Sequence, residues 1–555
     1  MMKIRNISLC VAILTAAFSA AAQNLNPSVV VTNTYEGSVT GVDKTELPVN
    51  VPDSLLKFNY ELDYSVFDNP YNGSYEFHPY LVEMRPDARQ YDGKRFYLNA
   101  GAGYSFHPEL DAVWCPLLPG DFSLGVYDSF KGYVGNYRDY DSPQWSAGRL
   151  LDNRLGAGGR WQSGTFDLIF DAGYKMMNSA AEVGHMLNGG DAALRIKSKD
   201  CSDDRFFYDV KLSGGGFYDE YGHSSYSGGV SQFDGGLSGS IGLNTGAHRK
   251  MAADVGVRFV GASGLFAGNK FHLYAAPQYL LDFDRARVKL GVKLSFVSSN
   301  RSAQIVYPDV SADYFLIPDK LDVYARVGGG DHIDSYYGML KENPFMNIYL
   351  CSAVYPEVMG LDNHTDRVNA ELGFRGTVLR KLHFDISAGY NVGANVLCES
   401  LFVPSDGILS PVFSRCDFNT FHAALDLKWK SERLSVDGKF KYIDTDALRR
   451  GCRVLAPAAF KGEVAATYNI GERIFFGLDL AAQTERKARY EISGGGIADR
   501  SLPGWFDLGI HGEYKVNRTF SVWLKCRNLL AQPVYEYLLH IEQSPNITAG
   551  ICVNL

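Results

Sequence analysis

The chain has 555 residues, of which 46% are apolar and 13% aromatic, and a formal net charge of −8. That acidic balance offers no basic footprint for nucleic acid, which is therefore not an expected partner. The 57 glycines, 34 tyrosines and 33 phenylalanines, with little clustering of Ala, Glu and Leu, favour an all-β chain.

The first element in chain order reads as an export signal over residues 1–22. Lys3 and Arg5 supply the positive end, residues 7–18 are apolar, and Ala20, Ala21 and Ala22 offer small residues for cleavage before Gln23. Cys10 lies inside the apolar stretch and reads as a small apolar side chain rather than a lipid-anchoring residue. Beyond the signal there is no uninterrupted apolar run of the roughly 18 residues that a membrane helix needs, so export leaves either a soluble protein or a membrane barrel. Residues 23–94 are aromatic and irregular: Phe58, Tyr60, Tyr64, Phe67, Tyr71, Tyr75, Phe77 and Tyr80 are interrupted by Asn69-Pro70 and Asn72-Gly73. This composition is too aromatic for a plain disordered linker.

From residue 95 to the end the chain repeats stretches of about ten residues in which every second side chain is apolar, the period of a transmembrane strand. Residues 381–392 place Leu382, Phe384, Ile386, Ala388, Tyr390 and Val392 on one face and His383, Asp385, Ser387, Gly389 and Asn391 on the other. The same alternation occurs over 96–104, 166–174, 208–212, 287–296, 434–442, 474–483, 508–516 and 520–526. A soluble sandwich also alternates, so the arrangement of turns has to decide. Tight polar turns fall near Gly120, Gly164, Asp203, Gly246, Arg285, Pro318, Arg380, Ser431, Gly471 and Asn517, separated by longer irregular stretches such as 328–363 and 399–418. Short turns at one rim and long loops at the other are the asymmetry of outer-membrane barrels. If each turn joins a strand pair, with one strand before the first and one after the last, the chain makes about 22 strands (±2). Trp161, Phe374, Trp429, Tyr468 and Tyr514 precede turns, where an aromatic girdle belongs. The expected fold is a large closed antiparallel transmembrane β-barrel over residues 95–555 in the bacterial outer membrane, in contact with its lipid.

The chain ends on an alternating strand with Ile547, Ala549, Ile551, Val553 and Leu555 on the outward face. Thr548, Gly550, Val553 and Leu555 resemble the C-terminal assembly signal of outer-membrane proteins, with Leu555 in place of the usual aromatic. That resemblance implies the barrel-assembly machinery as a partner during biogenesis. Upstream, the segment from Lys525 through Asn528-Leu529 to Tyr535 resembles the penultimate strand of TonB-dependent receptors, and the strand count agrees with that family. The resemblance implies uptake or capture of a nutrient at the cell surface, with TonB and a surface lipoprotein as partners. Val29, Val30, Val31 and Thr32 are faintly like the segment by which such receptors engage TonB. The chain departs from the family in having only residues 23–94 ahead of the barrel, too few for a complete plug. These residues are expected to thread into or cap the lumen as a reduced plug. A plug-less barrel serving as scaffold for surface lipoproteins or an envelope assembly machine stays open as the alternative.

No motif for a catalytic triad, a zinc hydrolase, a phosphate-binding loop or a Cys-x-x-Cys pair is present, so neither catalysis nor a cofactor is expected. The runs Gly214-Gly215-Gly216 and Gly328-Gly329-Gly330 read as strand bends. Asp331-His332-Ile333-Asp334 carries carboxylate and imidazole donors but reads as a polar loop tip without a metal. Eight cysteines remain after the signal, and a Cys398–Cys416 disulfide is the expected bridge. Inward faces carry mixed charge, as at Lys428, Lys430, Asp437, Lys439 and Lys441, read as the lining of a wet lumen.

Overall fold

The computed structural model describes residues 94–555 apart from 119, 140–143, 182, 200–205, 224–225, 247, 299–303, 319, 405–408 and 536. The export signal, the Val29–Thr32 segment and residues 23–93 of the expected reduced plug lie outside the described residues. The strands, in chain order, are β1 (Phe96–Tyr104), β2 (Glu109–Trp114), β3 (Phe122–Asp139), β4 (Ser146–Gln162), β5 (Phe166–Ala180), β6 (Gly184–Ser198), β7 (Phe206–His223), β8 (Tyr226–Gly246) and β9 (Arg249–Gly264). There follow β10 (Gly268–Phe283), β11 (Ala286–Val297), β12 (Val306–Ile317), β13 (Leu321–Asp334), β14 (Asp362–Val378), β15 (Leu382–Val403), β16 (Ser410–Lys430), β17 (Leu434–Thr445), β18 (Phe460–Ile470) and β19 (Ile474–Gln483). The remainder are β20 (Arg486–Ile492), β21 (Gly496–Leu502), β22 (Trp505–Lys515), β23 (Phe520–Arg527), β24 (His540–Glu542) and β25 (Asn546–Asn554).

Twenty-two of these form one closed antiparallel ring. β20, β21 and β24 lie outside it in the long loops, because β19 pairs directly with β22 and β23 with β25. Nine of the ten expected turns fall between consecutive strands at one rim, and the one near Asp203 lies outside the described residues. The ring closes where β1 pairs with β25 from Tyr97↔Asn554 to Tyr104↔Ile547, which removes the last free edge in a medium that offers no hydrogen bonds. Outward positions alternate as the sequence implies: Leu290, Val292, Leu294 and Phe296 are exposed, while their inward neighbours Lys289 and Lys293 are not. Trp161, Phe374, Trp429, Tyr468 and Tyr514 are exposed beside the turns, at the level of a girdle.

Two stretches read as irregular are ordered differently. Most of 399–418 is strand, since β15 and β16 pair on to Phe402↔Ser410 beyond the apolar band. Above the membrane a strand needs no lipid-facing alternation, and the signal used to find it fades. Residues 335–361 contain two short helices, α1 (Tyr336–Glu342) and α2 (Ile348–Val354). Ser335 caps α1 by accepting from the Gly338 amide, and Asn347 caps α2 by accepting from that of Leu350. Pro344, two residues past α1, prevents its continuation.

The expected Cys398–Cys416 disulfide is corrected to Cys416–Cys452, with a Cα–Cα distance of 5.9 Å. Register places Cys398 opposite Ser414 and Cys416 opposite Val396, so Cys398 and Cys416 are diagonal neighbours, at a spacing of roughly 7–8 Å where a disulfide does not close. Cys452 arrives instead from the loop after β17, which is folded back by Asp446: its carboxylate accepts from the Asn419 amide at 2.7 Å and from Arg450 Nε at 2.7 Å. Digestion of the denatured, alkylated and unreduced protein should yield a linked peptide pair containing Cys416 and Cys452, with Cys398 alkylated. A Cys398–Cys416 pair in that digest would contradict the assignment.

Candidate functional site

Three register shifts occur on adjacent ladders: between Gly328 and Gly330 on β13, between Asp366 and Val368 on β14, and between Gly393 and Val396 on β15. A bulge bends its strand, and bulges on three neighbours bend the wall. Pairing of β12 with β13 stops at Val310↔Val327, and above that line β13 leans over the lumen. Asp331 consequently reaches the inner side of β11 and β12, where its carboxylate accepts from Ser295 Oγ (2.8 Å), Tyr307 Oη (3.1 Å) and, on β14, Thr365 Oγ1 (2.6 Å).

The bend delivers residues 335–361 into the outer mouth as a cap. Tyr336, Met339, Leu340, Met346, Ile348 and Cys351 are all at most 1% exposed. They pack on inward side chains of β5 to β9 and of β16, among them Leu187, Val230, Val260, Val412 and Phe413. Phe345 reaches the far side of the ring, stacking on His540 at 4.4 Å and meeting Tyr137 of β3 edge-on at 5.1 Å. Polar contacts fix the register of the cap on this wall. The Tyr336 amide donates to Gln232 Oε1 (2.9 Å), Tyr336 Oη donates to Asp219, and His185 Nε2–H donates to the Met346 carbonyl (2.8 Å) while its Nδ1 faces Asp219 (2.8 Å). These side chains come from strands more than a hundred residues from the cap, so no local sequence pattern announces them.

Beside the cap lies a polar wall built by β10 to β16. Lys270 Nζ donates to Asp362 (3.2 Å), whose other oxygen accepts from Asn395 (3.1 Å). Asp334 accepts from Arg415 (2.6 Å) and pairs with His364 Nδ1 (2.6 Å), and Asp366 accepts from Asn391 (2.9 Å). Further round, Arg486 donates to Glu399 at 3.1 Å. Such pairing is what retains charge in a wall partly shielded from water. Asp331, His332 and Asp334, read from sequence as a loop tip, thus lie at the end of a strand; the residues that sequence reasoning missed are His364, Asp366 and Arg415. A second His-x-Asp at 364–366, repeating the one at 332–334, was the available signal.

Glu342 ends α1 close to Glu399 and Arg486. Burial, and next the Glu399 carboxylate, push its carboxyl up to about 8 against the opposing pull of Arg486. A carboxyl with a raised value keeps its proton in the docked cap where the free group, at 4.5, has lost it. Its contribution to docking is therefore fully present below 4.5 and is lost as pH rises towards about 8. Amide exchange of α1, compared at each pH with Glu342→Gln to cancel the intrinsic rate, should show wild-type protection falling across that window and the variant staying protected.

Of the remaining sequence-derived residues, Thr548, Gly550 and Val553 lie on β25, with Leu555 just beyond its end, and Cys398 lies on β15. The charged positions Lys428, Asp437, Lys439 and Lys441 lie on the paired strands β16 and β17, with Lys428 opposite Asp437.

No family model and no curated protein matches the sequence. Among solved structures, the copper transporter OprC aligns with a TM-score of 0.60 at 12% identity, over 83% of this chain and 80% of that one. The siderophore receptor PirA from Acinetobacter baumannii aligns with a TM-score of 0.61 at 11% identity, over 83% and 80%. The ferric-catecholate import receptor Fiu from K12 E. coli gives 0.60 at 9%, over 83% and 82%. At such identities the likeness is one of fold. The chain is a closed 22-strand β-barrel of the bacterial outer membrane that resembles the TonB-dependent receptors in fold.

Proposed function

We propose that this barrel captures a polar solute at the cell surface and passes it through the lumen, with residues 335–361 acting as the outer gate. The observation that carries the reading is the cap itself: an ordered, apolar-anchored insert across the outer mouth, next to an inner wall of paired charges and amides that a polar ligand can enlist. The solved receptors of the same fold are described as a copper transporter and as siderophore and ferric-catecholate receptors, which supports transport as the general task.

Residues 23–94 complete the proposal as a reduced plug, with Val29, Val30, Val31 and Thr32 as the TonB contact. Two closures in series predict a simple pattern of conductance. Deleting residues 24–90, or releasing the cap, leaves the purified barrel nearly closed in a planar bilayer; doing both opens a channel of porin size. High conductance from the cap variant alone would remove the plug from the proposal.

Recovery of partners decides the task. Extraction from native outer membranes in mild detergent should bring TonB or a solute-binding surface lipoprotein, identified by mass spectrometry. Recovery of envelope assembly machinery without TonB would overturn transport in favour of the scaffold reading.

A further inference from the structure

His332 and His364 stand directly opposite each other on the β13–β14 ladder, and each strand continues His-x-Asp. Antiparallel pairing therefore sets Asp366 diagonally beside His332 and Asp334 diagonally beside His364, on one face of the ladder. Position 330, opposite Asp366, is glycine, and the Lys293 ammonium occupies the space beside it: a Cβ there would sit 2.6 Å from Lys293 Nζ. The imidazoles lie 5.0 Å apart, centroid to centroid, with their planes inclined by 30°. His332 Nε2 is 3.6 Å from Asp366 Oδ2, and one donor atom from each of His332, His364 and Asp366 falls within 4.8 Å of the other two.

Asp366 is 3% exposed, and its Oδ2 is buried with no hydrogen-bond partner, while Oδ1 is occupied by Asn391. An unsatisfied buried carboxylate oxygen aimed at two imidazoles is costly unless a further partner joins it. His364 is already oriented as a ligand: Nδ1–H donates to Asp334, which is itself held by Arg415, so Nε2 is the ring nitrogen left to meet a metal ion. A carboxylate behind an imidazole is the usual arrangement around a metal-bound histidine. Charge permits a cation. On this face the carboxylates of Asp334 and Asp366 stand against the cations Arg415 and Lys293, two against two, so no net positive charge from these groups opposes an incoming ion.

We propose that His332, His364 and Asp366 bind one divalent first-row transition ion, with Asp334 as the positioning carboxylate of His364. Two imidazoles and one carboxylate select zinc-like ions over calcium or magnesium, which prefer all-oxygen sites. Three protein donors leave one position for water or an incoming ligand. The site joins the two stems from which the cap rises, so occupancy ties β13 to β14 below it. The inference rests on this geometry and stands independently of the proposed solute capture.

The test uses the full-length barrel purified in detergent, stripped with chelator and dialysed against Zn²⁺, with metal counted by mass spectrometry. One zinc per chain is expected. His332→Gln and His364→Gln should lose it, and Asp334→Asn should weaken binding by about 10- to 100-fold, each variant keeping the heat-modifiable migration of a folded barrel. Where a variant does not fold, Co²⁺ titration of the wild type decides. A saturable visible spectrum at one equivalent without a thiolate band supports the site. No retained zinc and no saturable cobalt spectrum, equal zinc in the folded histidine variants, or a thiolate band from a site such as Cys398 would each overturn it.

Discussion

Replacing Gly550 by valine should abolish the folded barrel, lowering the heat-modifiable species in outer membranes by more than about tenfold. Gly550 pairs with Gly101 at the closing seam. Across both lies the indole of Trp523, 6% exposed, which extends from β23 over β25 to donate Nε1–H to Asn99 of β1 at 2.6 Å. A Cβ at 550 would sit 2.2 Å from Trp523 Cζ2 and 2.4 Å from the Ala100 carbonyl oxygen; one at 101 would sit 2.4 Å from Trp523 Cη2. Backbone oxygen cannot move aside without breaking the ladder, and each backbone group left unpaired in hydrocarbon costs several kcal/mol. The failure is therefore of closure and is close to all-or-none. Gly550 also belongs to the proposed C-terminal assembly signal, and Gly101→Val separates the two causes. Steric closure predicts the same defect for a residue of the first strand, whereas a pure recognition signal predicts normal assembly. Normal assembly of both variants would refute the seam argument.

Tyr336→Ala should unlatch the cap while leaving the barrel closed. The side chain is fully buried, 5.5 Å from the Phe266 ring, and its hydroxyl donates to Asp219, so truncation removes packing and leaves a buried carboxylate short of one donor. Truncating a buried aromatic costs about 3–5 kcal/mol, which here falls on the opening of the cap because no barrel ladder includes Tyr336. Cys351 reports the opening: it is free, 0% exposed and carried on α2. In a background with the other free thiols replaced, maleimide labelling of Cys351 should accelerate by about 100-fold or more, in line with the lower end of that cost. An unchanged labelling rate would show that the cap is held by contacts other than this latch.

The difference between these two predictions follows the line of the membrane. Within it, hydrocarbon imposes one rule on every residue of the wall, apolar outward at alternate positions and all backbone groups paired. The rule is local, so the residues themselves display it. Leu382 to Val392 and Val288 to Phe296 reveal their strands by spacing alone, the turns at Gly164 or Gly471 mark their ends, and the count of 22 strands with a closing C-terminal strand follows. Above the membrane that constraint lapses. The outer parts of β15 and β16 cease to alternate and read as loop, although their pairing continues.

Contacts there are made by residues that only register and bending bring together. His332 meets His364 across a 27-residue cap, and Cys416 bonds to Cys452 rather than Cys398 because pairing makes the nearer cysteine a diagonal neighbour. The hydrogen bonds of the Tyr336 latch come from strands over a hundred residues away. Place and architecture were thus determined by the sequence, since lipid constrains each residue on its own. The cap, the polar wall and the His-x-Asp pair were decided by tertiary structure, because each depends on which distant strand edges the closed ring places side by side.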